Sequence, residues 1–180
     1  SLLDCGFGKI DPLHPQFDVR ESTIFLYFNA EVCEIVKKLN RARIAVHETR
    51  FEKADDLLRE LVVIEPTLAI SYGYQSVVDM YLYREPSSST VNALRLSESR
   101  DSGERQMTEV LVKFSVGDLE ATSALLWQFL ASYPDDRYAL HLHGIVLNDL
   151  GLPGDAVETL RELLRKYPDF DPAWNYLGNG

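Results

Sequence analysis

The chain has 180 residues, 46% hydrophobic and 26% charged, a composition within the range of soluble globular proteins able to bury a core. Its formal net charge of −10 and pI near 4.8 repel phosphate backbones and anionic lipid headgroups, which sets nucleic acid and membrane surfaces aside as partners. No apolar run approaches the ~18 residues that cross a bilayer. The expectation is therefore a soluble chain without membrane insertion, cytoplasmic or, after signal removal, periplasmic.

Residues 1–21 read as an irregular arm, because Gly6, Gly8, Pro12 and Pro15 interrupt any helix and the apolar residues show no period. Gly6-Phe7-Gly8-Lys9 lacks the spacing and the Ser/Thr of a phosphate loop. Cys5 and Cys33 lack a CxxC spacing, and the expectation for them is two unpaired thiols with no zinc site. A long helix is expected from Ser22, as cap, to about Glu48, with Ile24, Phe25, Phe28, Val32 and Ile35 as its stripe. The β-rich run from Thr23 to Phe28 leaves a strand as the alternative, but a lone strand has no visible partner.

From Phe51 to Glu65 an amphipathic helix places Ala54, Leu57, Leu58, Leu61 and Val62 inward, and Pro66 ends it. The next stripe, Tyr74, Val77, Val78 and Tyr81, is out of step with the columns that would place Gln75 and Asp79 inward, so the stretch 69–102 is expected to be rotated or irregular. Its second helix, about Ser89 to Ser99, carries only a weak stripe of Val91, Leu94 and Leu96 behind the breaker Arg84 to Ser89, and is expected to be the most mobile part. Asp101 with Glu104 suits a new helix start. Met107, Val110, Leu111 and Phe114 follow as an inward set. Ala156, Val157, Leu160, Leu163 and Leu164 form the clearest stripe, ended by Tyr167-Pro168.

These elements repeat with a period of 34. Gly117 recurs as Gly151, Tyr133-Pro134 as Tyr167-Pro168, and Leu126 as Leu160, while Leu58 and Pro66 occupy the same columns two periods earlier. A small-residue column holds Ala54, Ser88, Thr122 and Ala156. An apolar column at Leu61, Phe129 and Leu163 is broken by Arg95. Several columns in one register argue for a duplicated two-helix unit whose apolar faces are covered only by its neighbours. Short glycine-bearing turns make the paired helices antiparallel.

Leu140, Gly144, Leu147, Gly151, Ala156, Leu160 and Pro168, followed by Trp174, Leu177 and Gly178, resemble the tetratricopeptide (TPR) signature. The resemblance runs from about residue 35, is closest from 137 onward and is poorest in 69–102. It implies an all-α fold of tandem antiparallel hairpins forming a right-handed superhelix over 22–180. The units would be about 35–68, 69–102, 103–136 and 137–170, with an incomplete unit 171–180.

The resemblance also implies a concave face lined by inner-helix residues: Tyr138, His141, Ile145, Asn148 and Asp149, with Ile70, Gly73, Val77, Met80 and Tyr81 as looser counterparts. A tyrosine and histidine wall over an apolar floor suits a peptide, although the same stripe could pack on an adjoining helix. The family's clamp for acidic C-terminal peptides needs lysine and asparagine where this chain has Leu39 and Arg43, so basic or apolar partners are expected over acidic ones.

No catalytic motif stands out, with neither GxSxG nor HExxH present. His141 and His143 lie about 200° apart around a helix and cannot grip one metal together. Asp169 and Asp171 read as solvated or capping carboxylates. No cofactor is expected. The functional expectation is a non-catalytic scaffold binding protein or peptide, with a regulatory or accessory domain of a larger enzyme as the alternative and self-association left open.

Overall fold

The computed structural model describes residues 24–178, with side chains described from residue 32. Among these residues the chain is all-helical: α1 (Ile24–His47), α2 (Phe51–Ile64), α3 (Ala69–Tyr81), α4 (Ser87–Ser97), α5 (Ser102–Ser115), α6 (Leu119–Ser132), α7 (Arg137–Asp149), α8 (Pro153–Lys166) and α9 (Asp171–Gly178). Consecutive helices pack on one another, and α3 also packs along α5, in a solenoid-like arrangement. None of these helices is long and apolar enough to cross a membrane. The stretch considered as a strand is helical from Ile24. The arm at 1–21, the Ser22 cap and the side chains of Ile24, Phe25 and Phe28 lie outside the described residues.

The 34-residue register is written into the backbone. Thr49, Tyr83, Gly117 and Gly151 have φ of 58°, 55°, 76° and 77°, one left-handed residue after each of α1, α3, α5 and α7. Each sits in the same pair of bonds. Its own N–H donates to the carbonyl three residues back, as from Gly117 to Phe114, and the next N–H donates five residues back, as from Asp118 to Lys113. This is the Schellman termination, and it needs positive φ at the turn residue. The sequence shows glycine at only two of the four turns, so the repeat is more regular in the backbone than in the residues.

The core follows the expected stripes in α2, α6 and α8: Ala54, Leu58 and Leu61, then Thr122, Leu126 and Phe129, then Ala156, Leu160 and Leu163 are buried. Helix α4 departs from the columns. Ser88 of the small column is exposed, as are Val91 (63%) and Leu94 (42%), whereas Ser89, Ala93 and Ser97 are buried. The other outer helices begin two residues after the left-handed turn, but Pro86 lies between Tyr83 and a helix that starts only at Ser87, and the delayed start rotates the inward face.

Helix α3 keeps the register, against the expectation for the whole stretch 69–102, so only α4 is rotated, and polar groups tie the two helices to α2. Gln75 and Asp79 are buried alongside Tyr74, Val77 and Val78, and they face the outer helices. Ser89 Oγ donates to Asp79 at 2.8 Å, Gln75 donates to Asp55 at 2.7 Å, and Arg84 bridges Asp55 and Asp79 at 2.8 and 3.1 Å. Burial pushes the Asp55 carboxyl up, but hydrogen bonds from Arg84, Gln75 and Arg59 hold it down at about 2.

Asp101 caps α5 as expected, accepting from the Gly103 and Glu104 amides. Glu104 instead reaches α3, where Oε1 accepts from the Ile70 N–H at 3.3 Å. Cys33 on α1 is disulfide-bonded, which corrects the expectation of unpaired thiols. A bridge needs only spatial proximity, which sequence spacing does not report. The other cysteine, Cys5, lies outside the described residues.

Candidate functional site

The C-terminal end of α1 reaches across to α7, from the first unit to the fourth. Arg43 Nη2 lies 3.8 Å from Asp136 Oδ2, and the Arg43 guanidinium sits 4.0 Å over the Tyr138 ring. Asp136 also caps α7, accepting from the Tyr138 and Ala139 amides. Arg43, at the position implied for a peptide clamp, is therefore buried and engaged inside the fold.

One turn further along α1, His47 Nδ1 lies 2.8 Å from His141 Nδ1, so one imidazole donates and the other accepts. Tyr138, Phe170 and Tyr176 ring this pair, with centroids 5.0 Å from His47 to Tyr138, 5.5 Å from His141 to Phe170 and 6.3 Å from His141 to Tyr176. Burial brings the His141 pKa down to about 4, although the nearby Pro172 carbonyl acts in the opposite direction. Nε2 of His141 is buried and makes no hydrogen bond of good geometry. Burial, then the His141 and Arg43 neighbours, lower the His47 pKa well below the usual value. His143 points the other way, toward Trp127 and Ser123 on α6.

In front of the histidine pair lies a groove of about 500 Å³ walled by α1, α3, α5, α7 and α9, with Phe51 of α2 in its lining. Of the expected concave residues, Val77, Tyr81, His141, Ile145 and Asn148 line it. Tyr138 does not. It is 2% exposed and stands behind His47 and His141, packed as a core ring. Asp149 is exposed near the groove, close enough to act electrostatically on the Tyr81 and Tyr176 hydroxyls; burial first, then this carboxylate, raises the pKa of both.

Ile70, Gly73 and Met80 are outside the lining. Gly73 is consumed by the α3–α5 contact, where an added Cβ would meet Leu111 Cδ1 at 3.2 Å. Met80 packs against the core.

His47, Phe51, Leu111, Phe114 and Tyr176 also line the groove, and of these the sequence places only Leu111 and Phe114 on an inward face. The 34-residue register carried a signal for three of them. Leu111 shares the column of Val77 and Ile145, Phe114 that of Asn148, and His47 that of Tyr81 and Asp149.

Fold and groove together define a helical repeat protein of solenoid-like build. No family model matches the chain, and no curated protein matches it significantly in sequence.

Proposed function

We propose that this chain is a non-catalytic binding module that holds a peptide or protein segment in the groove between α1, α3, α5, α7 and α9, in the manner its resemblance to TPR arrays implies. The observation that carries this reading is the convergence on one groove of Val77, Tyr81, His141, Ile145 and Asn148, from two different units. A groove near 500 Å³ lies within the roughly 300–1,000 Å³ of ligand sites. Tyr81 at the rim is 39% exposed and able to act as an aromatic anchor. The α1–α7 contacts hold the wall in place before any ligand arrives, which reduces the ordering cost of binding.

Selection of a displayed random-peptide library against the chain tests the proposal. Enriched peptides are expected to bind the parent chain and to lose at least about tenfold affinity on Ile145→Ser combined with Tyr81→Ala, with helicity retained in circular dichroism. Absence of enrichment, or peptides that bind the variant equally well, would overturn it.

A further inference from the structure

Aromatic rings from different helices meet at the groove. Phe51 of α2 stacks on Tyr81 of α3 with centroids 4.2 Å apart and planes at 12°, and Tyr81 lies 6.4 Å from Phe114 of α5. Tyr176 of α9 also lines the groove, close enough to act electrostatically on Tyr81, with the Asn148 amide beside its hydroxyl. The stack covers one face of Tyr81, and the part of the ring left exposed, 39% of the residue, can attract a cation within about 6 Å of its centroid.

The formal charges agree with the rings. Among the described residues that line the groove none is lysine or arginine, and burial keeps His141 neutral near pH 7. Glu48 lines the groove but is already paired with Arg50. Asp149 is exposed at the end of α7. A carboxylate-bearing ligand would meet the Asp149 carboxylate, and a neutral aliphatic one would gain only buried area. A basic side chain gains area along its stem, ring faces and a carboxylate at its head, and attraction to a chain of net charge −10.

We infer that the groove recognises a lysine or arginine side chain presented by a segment of the partner protein, its stem lying along Val77 and Ile145 and its charged head against Tyr81 and Asp149. This rests on the peptide-binding reading and narrows it to basic segments.

The peptides enriched by library selection decide the matter. They are expected to share one basic residue; replacing a shared lysine by norleucine should weaken binding about tenfold or more, and Asp149→Asn in the protein about threefold or more with a reduced salt dependence. Enriched peptides with a neutral or acidic anchor, or an affinity indifferent to both changes, would overturn the basic-residue inference while leaving peptide binding in place. If selection returns nothing, peptide binding fails, and Nα-acetyl-lysine N-methylamide is titrated against its norleucine counterpart with the Tyr81 ring resonances observed. Saturable shifts with the lysine form alone support cation recognition. Equal shifts, or none, reject it.

Discussion

His47 and His141 meet nitrogen to nitrogen at 2.8 Å, joining the first helix of the array to the seventh. Both imidazoles have pKa values lowered by burial, so the unfolded chain binds protons more readily than the folded one. The stability they contribute is complete above the ordinary value of 6.5 and is lost as pH falls toward about 4, the value for His141. Between pH ~7.5 and ~5 the loss from His141 alone is about 2 kcal/mol.

His143 has the same sign, and Glu104, raised by burial, has the opposite one. Asp55, held at about 2, contributes below this window. Urea unfolding at the two pH values should show the drop in the parent chain and a smaller one in a His47→Leu/His141→Leu variant. Equal slopes for both proteins would remove the histidine pair as the cause.

A second prediction concerns a close helix crossing, that of α7 and α8. A Cβ added to Gly144 on α7 would lie 2.7 Å from both Cγ and Cδ2 of Leu160 on α8, whose side chain is only 1% exposed. Gly144→Ala gains up to about 1 kcal/mol of helix propensity but overpacks the contact by about 1 to 3 kcal/mol. Net destabilisation is expected, and Leu160→Val should relieve part of it in a double-mutant cycle. Leu160→Ala alone should cost about 2 to 5 kcal/mol. Ala156→Leu on the same helix should cost about 1 to 3 kcal/mol. A non-interacting cycle would place Gly144 and Leu160 apart.

The left-handed turns supply a stabilising prediction. Tyr83 holds φ of 55° at 99% exposure, a conformation that strains a bulky residue and leaves its ring with little to pack against. Tyr83→Gly relieves about 1 to 2 kcal/mol of left-handed strain. It adds about 0.5 to 1 kcal/mol of chain entropy, so a net gain near 0.5 to 1 kcal/mol is expected. Gly117, with φ of 76° and nothing near its absent Cβ, should show the reverse on Gly117→Ala. Thermal melts that ranked the two variants the other way would contradict the shared turn geometry.

The hairpin order, the 34-residue period and the buried faces of α2, α6 and α8 were legible because apolar spacing and proline stops report local helix geometry directly. The rotation of α4 was legible only as disorder in the columns. Its inward residues are Ser89, Ala93 and Ser97, small side chains with no hydropathy signal, while Val91 and Leu94 face outward. The face of the groove was readable from Val77, Ile145 and Asn148, but the meeting of His47 with His141 was not. Small rotations between units accumulate over the array before α1 and α7 touch, and residue spacing within a unit carries no measure of that angle. Phe170 shows the same limit. Placed in a loop between two acids, it is 7% exposed and packs on His47, Tyr138 and His141.

The last prediction separates wall from filling. Tyr138 and Tyr81 both belong to the expected concave set, yet Tyr138 is 2% exposed and Tyr81 39%. Tyr138 lies under the Arg43 guanidinium at 4.0 Å and against His47 and Phe170 at 5.0 and 5.9 Å. Its removal leaves a cavity and strips the ring face from a buried cation. Tyr138→Ala should therefore cost about 3 to 5 kcal/mol, comparable to truncation of a buried aromatic. Tyr81→Ala loses chiefly its stacking on Phe51 and should cost about 1 kcal/mol. Urea unfolding followed by far-ultraviolet circular dichroism gives both numbers. A Tyr138 variant as stable as the parent, or one less affected than the Tyr81 variant, would place Tyr138 on the open surface of the groove and detach α1 from α7.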